Sequence, residues 1–125
     1  MRIKIKEKEL FKKLIKRNFN IELNTVDSFC IDSRLIQKND IFMPIKGDYI
    51  DPHNFISKVL IKKPAMIFSE REFKNNNVIK VDSTKKILNK LSKQWIKSFN
   101  NPTIAITGSN GKTTTKEMLT SIFKS

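Results

Sequence analysis

The stretch Gly108-Ser109-Asn110-Gly111-Lys112-Thr113-Thr114 combines residue types and a spacing that can do chemistry on phosphate. Glycine lets a backbone wrap closely around an anion, because it has no Cβ to clash. A helix starting at Lys112 would add first-turn N–H groups without partners and the positive end of its dipole. Lys112 would bring its ammonium to the β- and γ-phosphates of a nucleotide. Thr113 would offer a hydroxyl to Mg²⁺, and Thr114 a further hydrogen bond to phosphate. The general phosphate loop has a glycine, four residues, and then Gly-Lys-Ser/Thr. Here Ile106 stands five positions before Gly111, so the chain has the shorter form Gly108-x-x-Gly111-Lys112-Thr113. The bland alternative is a glycine turn that happens to precede a helix. An apolar run before the loop, both glycines, the Lys-Thr pair and a helical stripe after it all argue against that.

These residues need elements to position them. Thr103-Ile104-Ala105-Ile106-Thr107 reads as a short strand apolar on both faces, as in a buried parallel sheet. From Lys112 onward the pattern predicts a helix with Met118, Leu119, Ile122 and Phe123 as its buried stripe. Asn100-Asn101-Pro102 marks a boundary before the strand. One strand and one helix bury too little to be a domain. Residues 1–100 are therefore expected to form a small α/β domain. Residues 101–125 are expected to open a second one, the remainder of which lies outside this sequence.

Within residues 1–100, Leu10, Phe11, Leu14 and Ile15 predict a helix over 7–19. Residues 28–32 read as extended, 41–43 as a strand, and Gly47 to Asn54 as a loop. A helix is expected from about Asn54 to Ile61, and short strands at 65–68 and 78–81. Ser83 or Thr84 can cap a helix whose apolar positions Ile87, Leu88, Leu91, Trp95 and Phe99 keep helical spacing to residue 99. Asp32 and Arg34 can pair with each other or cap a turn, and Ser33 between them can face a ligand. His53 is the chain's one histidine; an Asx-type turn or helix-start role fits it better than acid–base chemistry. Cys30 and Trp95 read as core residues. Tyr49 is either solvent-exposed or turned toward a ligand.

Composition narrows the classes. With 125 residues and 38% hydrophobic content there is enough apolar material for a core. No apolar run approaches the roughly 20 residues of a membrane span, and residues 1–7 lack the apolar stretch of a signal peptide. A single cysteine cannot form an internal disulfide, so a reducing cytoplasm is the expected setting. The net charge of +13 raises the question of nucleic acid. The cations, however, are mostly lysines spread along the chain, and arginine is scarce. No nucleic-acid surface and no membrane insertion are therefore expected.

Thr107 to Met118 closely resembles the ATP loop of the Mur ligases, the cytoplasmic enzymes that build the peptide of bacterial cell-wall precursors. The shortened glycine pattern is the form that family uses. A second patch agrees: Asp32-Ser33-Arg34, Asn39-Asp40-Ile41-Phe42, Gly47 and Asp51-x-His53-x-Phe55-Ile56 look like the UDP-binding N-terminal domain of two of these ligases. Ala65 to Phe68 and Val81 to Thr84 continue the likeness, which covers roughly residues 23–125. The Ser-Asn loop followed by Thr-Lys-Glu-Met resembles the D-alanyl-D-alanine-adding ligase more than the one that adds the third amino acid.

The resemblance implies a small α/β UDP-binding domain, then the first strand, phosphate loop and helix of a Mur-type ATPase domain that continues past residue 125. It implies ATP and Mg²⁺ as cofactors, with Gly108, Ser109, Asn110, Gly111, Lys112, Thr113 and Thr114 around ATP. Lys112 would stabilise the transferred phosphoryl group and Thr113 would ligate Mg²⁺. Ile31, Ser33, Asp48, Tyr49 and Ile50 would contact the UDP-sugar. The implied partners are UDP-N-acetylmuramoyl-tripeptide and D-alanyl-D-alanine, and a monomer is expected. Pro52 departs from the glycine common at that point of the family's loop; it fixes φ and removes an N–H. The family's acidic Mg²⁺ ligand, modified lysine and C-terminal domain would all lie downstream, so this chain alone is expected not to turn over substrate. The alternatives are the ligase that adds diaminopimelate or lysine, and a stand-alone nucleotide-binding module.

Overall fold

The computed structural model describes residues 1–99 and 103–123. Its elements are β1 (Arg2–Lys4), α1 (Lys8–Phe19), β2 (Ser28–Cys30), β3 (Ile41–Phe42), a 3₁₀ turn (Pro52–Phe55), α2 (Ile56–Ile61), β4 (Met66–Ser69), β5 (Val78–Lys80), α3 (Thr84–Lys97) and α4 (Lys112–Ile122). The five strands form one sheet in the order β1-β2-β3-β4-β5. β1 runs antiparallel to β2, with Arg2 opposite Cys30. The remaining pairs are parallel, with Phe29 opposite Ile41, Phe42 opposite Ile67, and Ile67 opposite Val78.

Side chains alternate across a pleated sheet, and here the alternation builds two cores. Ile41, Met43, Met66 and Phe68 point to one face, where they meet Phe11, Leu14 and Ile15 of α1 and Leu91 of α3. Cys30, Phe42 and Ile67 point to the other face and meet Ile36 with Ile56 and Val59 of α2. Both faces are covered, so the central strands are apolar at consecutive positions rather than alternating. Ring contacts lock the first face: Phe19 lies 4.9 Å from Phe68 and Phe11 lies 5.4 Å from Trp95. Asn18 of α1 donates to Gln94 of α3 at 2.6 Å. Cys30 and Trp95 pack as expected, the first fully buried and the second half-buried.

The caps are local. Ser83 accepts a hydrogen bond from the Lys86 N–H at 3.3 Å, which fixes the start of α3. Asn20 ends α1 in the left-handed conformation, its N–H donating to the Lys16 carbonyl at 2.8 Å.

Several expectations need correction. The helix expected at 54–61 starts earlier, as the 3₁₀ turn: the Asp51 carboxylate accepts from the His53 N–H, and Pro52 sits at the first position with its φ already set. α3 ends at Lys97, two residues short of Phe99. β1 was not anticipated, although residues 1–6 alternate apolar and charged types. Its Arg2 clamps the buried Asp40 with two hydrogen bonds of 2.7 and 3.0 Å. Residues 103–107 carry no strand. A parallel strand needs a neighbour to take its hydrogen bonds, and no described strand pairs with this stretch. α4 forms as expected, but its stripe is not buried: Met118, Ile122 and Phe123 are exposed and Leu119 is half-buried. The boundary at Asn100-Asn101-Pro102 lies outside the described residues.

Candidate functional site

Two places in the chain gather the residues singled out for nucleotide contacts. The first is a cleft of about 640 Å³ where the segment after β2 faces the loop after Gly47 and the outer side of α2. Ile31, Asp32, Ser33 and Arg34 line one wall, and Ile50, Pro52 and Phe55 line another. Lys58 and Lys62 complete it, together with Met1, whose carbonyl accepts from the Ile31 N–H at 3.1 Å. Three of the five residues singled out for the UDP-sugar therefore meet here: Ile31, Ser33 and Ile50. Asp48 and Tyr49 do not. The Gly47 N–H donates to the Ile50 carbonyl at 3.1 Å, closing the loop and leaving Asp48 and Tyr49 at its exposed tip.

Charge in the cleft is unevenly spent. Asp32 accepts from the Arg34 side chain at 3.0 and 2.8 Å and from its backbone N–H at 3.0 Å. These bonds hold the Asp32 carboxyl well below the usual carboxylate range. Arg34 is thus engaged by its neighbour, which settles that pair as a local one. The lysines are differently placed. Lys62 donates to the Ser33 carbonyl at 3.4 Å and the Arg34 carbonyl at 3.1 Å, so an ammonium sits at the rim beside Ser33. Lys58 lies four residues earlier on the same side of α2. Their i, i+4 spacing after the loop was the legible signal for this cationic wall.

The loop edge of the cleft is tied down by His53. Asp51 accepts from the His53 N–H at 3.0 Å, the Asx turn expected there. The buried ring also lies 2.6 Å from Asp51 through Nδ1, and its Nε2 accepts from the Glu70 N–H at 3.2 Å. Burial pushes the Asp51 carboxyl up, but the hydrogen bonds from His53 and the charge of Arg71 outweigh it and leave it lowered.

The second place is the loop before α4. Gly111 caps the helix at φ +75°, a left-handed conformation that favours glycine, and no side chain caps the first turn. Donors at that end therefore face outward, as an anion would require. Lys112 folds its ammonium back over the loop, donating to the Gly108 carbonyl and, at 3.3 Å, to the Ser109 carbonyl. Thr113 and Thr114 are exposed at the same helix end, and Ser109 and Asn110 form the bend. The cradle fits a polyphosphate. For Mg²⁺ it supplies one hard ligand, the Thr113 hydroxyl. Among the described residues no group of three or more His, Cys, Asp or Glu gathers as a metal site. The ion would thus be held chiefly by phosphate oxygens, as Mg²⁺ commonly is.

A separate apolar cleft of about 620 Å³ lies between β1, the start of α1 and α3, with Phe11, Leu88 and Trp95 in its walls and Met1 again at its rim. No helix among the described residues is long and apolar enough to cross a membrane.

Known proteins align with this chain over most of its length. It is 32% identical over 106 residues to the UDP-N-acetylmuramoyl-tripeptide–D-alanyl-D-alanine ligase of Bacillus subtilis, covering 82% of this chain and 23% of that protein. It is 36% identical to the UDP-N-acetylmuramoyl-L-alanyl-D-glutamate–2,6-diaminopimelate ligase of Clostridium tetani, covering 96% of this chain and 27% of that protein. In three dimensions it superposes on a MurF ligase from Thermotoga maritima, solved in complex with ADP, with a TM-score of 0.67 and 33% identity. That match covers 77% of this chain and 23% of that structure. No family model matches the chain. The chain spans about a quarter of the length of the curated relatives it matches. In both sequence and fold, this α/β chain is related to the Mur ligases over that quarter of their length.

Proposed function

We propose that the chain serves an ATP-dependent, cytoplasmic peptidoglycan-precursor ligase, one that joins D-alanyl-D-alanine to UDP-N-acetylmuramoyl-tripeptide. The observation that carries this is the convergence of Ile31, Ser33 and Ile50, from separate segments, on one cleft walled by Lys58 and Lys62. In this reading residues 1–100 are the nucleotide-sugar domain. Ile31 and Ile50 would offer apolar contact to the uridine, Ser33 a hydrogen bond, and the two lysines charge for the diphosphate. Asp48 and Tyr49 would then meet the ligand only if the loop tip folds inward.

Residues 101–125 would begin the ATP domain, with Gly108 to Thr114 around the phosphates. In such a ligase the tripeptide carboxylate attacks the γ-phosphorus of ATP, releasing ADP and leaving an acyl phosphate. The amine of D-alanyl-D-alanine then attacks the acyl carbon, phosphate leaves, and an amide forms as the amine gives up a proton. Lys112 would leave its carbonyl partners for the transferring phosphoryl group, where its charge counts most. Mg²⁺ would neutralise phosphate charge, with Thr113 among its ligands. The alignment to an ADP-bound relative supports the nucleotide half of this reading.

A second reading, the third-amino-acid ligase, is favoured by the 36% identity to the diaminopimelate ligase. The acceptor separates the two. In a ligase assay on the full-length protein the first reading expects product with D-alanyl-D-alanine, and the second with diaminopimelate or lysine. Failure of this chain to bind a UDP-N-acetylmuramoyl-peptide, or UDP itself, in calorimetry would sink both. Product from a steady-state ligase assay on this chain alone would refute the expectation that it binds without turning over.

A further inference from the structure

We propose that His53 is a positioning residue for the cleft: its Nδ1–H tautomer latches the loop wall that carries Ile50 and Pro52 to the chain at Glu70. The inference rests on the reading of that cleft as the nucleotide-sugar site. The imidazole is 2% exposed, and its two nitrogens meet different groups. The backbone N–H of Glu70, 3.2 Å from Nε2, can only donate, so Nε2 accepts and carries no proton. Nδ1 therefore carries the hydrogen and donates it to Asp51 at 2.6 Å.

An Asx turn needs only the Asp51 carboxylate and a backbone N–H at position 53, which any residue but proline supplies. The ring adds a tie to a segment 17 residues away. A second strut runs parallel to it. Arg71 donates to the other Asp51 oxygen at 2.6 Å and to the Asn54 side chain at 2.8 Å. Glu70 in turn accepts from the Thr84 N–H and hydroxyl at 2.8 and 2.9 Å, which anchors this corner to the first turn of α3. Ile50 and Pro52 flank Asp51, so the latch holds two cleft residues in place before a ligand arrives. Loosening it would move that ordering cost onto binding.

His53 is the chain's one histidine, so its ¹⁵N imidazole spectrum can be read without ambiguity. The expected signature is a protonated Nδ1 and a bare Nε2, with slow hydrogen exchange at the Glu70 amide. His53→Gln places a carbonyl oxygen near the Nε2 position and should retain Glu70 protection. His53→Asn places its amide near Nδ1 and should lose that protection, with UDP affinity weakened about tenfold. Unchanged protection at the Ile67 and Val81 amides, which donate to the Asn77 and Ser69 carbonyls within the sheet, would show that the fold persists. A protonated Nε2, or a freely exchanging Glu70 amide in the unmodified chain, overturns the latch whatever binds. If the unmodified chain binds UDP and His53→Asn binds it equally well, the positioning role falls while the cleft reading stands. If the unmodified chain binds no UDP, the cleft reading falls and takes the role with it.

Discussion

Residues 1–99 and residues 103–123 carry equally clear sequence patterns but reach very different states of packing. In the first region every predicted apolar stripe finds a surface: α1 and α3 cover one face of the sheet and α2 the other. In the second, α4 forms over Lys112–Ile122, yet Met118, Ile122 and Phe123 stay exposed and the apolar run before the loop pairs with no strand among the described residues. An amphipathic pattern specifies a helix and the face it would bury, but burial itself is made by other elements. The loop between depends on neither, because its geometry is set by Gly111 and the first helical turn.

The sharpest way to break this contrast is to truncate one aromatic residue in each region. Phe68→Ala removes a fully buried ring between α1 and β4 and should cost about 3–5 kcal/mol in chemical denaturation. Phe123→Ala should stay within about 0.5 kcal/mol. Equal losses would mean that α4 is packed on the sheet. Next in size, Lys112→Ala should weaken ATP binding by about tenfold or more while leaving the melting temperature and UDP binding unchanged. A drop in UDP binding as well would show the two places to be coupled. Lys62→Ala should do the converse, weakening UDP but not ATP by about threefold to tenfold in calorimetry.

The smallest effect concerns pH. Because Arg34 lowers the Asp32 carboxyl in the folded chain, the pair contributes stability above the unfolded aspartate value of about 3.9. That contribution is lost as pH falls through the folded value. Asp32→Asn should therefore lower the melting temperature slightly at neutral pH and not at all in strong acid. A difference that persists in acid would mean that Asp32 acts through something other than its charge.

Much of the α/β architecture was legible because periodicity and caps act locally. Leu14 and Ile15 mark α1, Ser83 marks the start of α3, and the apolar run at 65–68 marks β4 within a residue. β1 was missed: residues 1–6 alternate apolar and charged types, but all three strand residues are exposed, and what makes them a strand is pairing with β2 and the reach of Arg2 to Asp40. The Asp32–Arg34 pair could be suspected from spacing alone. The cleft could not, because it depends on three segments meeting. Ile31, Ser33 and Ile50 came from resemblance, and that route named Asp48 and Tyr49 with equal force although the loop closure at Gly47 turns them away. Glu70, as the group His53 reaches, lies 17 residues on, beyond any local pattern.

Met1 lies at the rim of both clefts, and its carbonyl holds the N–H of Ile31. That position has a practical consequence for handling the protein. A purification tag fused directly ahead of Met1 would emerge between the two clefts and could occupy either, so ligand titrations on such material would report on the tag as well as the protein. A tag cleaved back to Met1 leaves both rims as they are described.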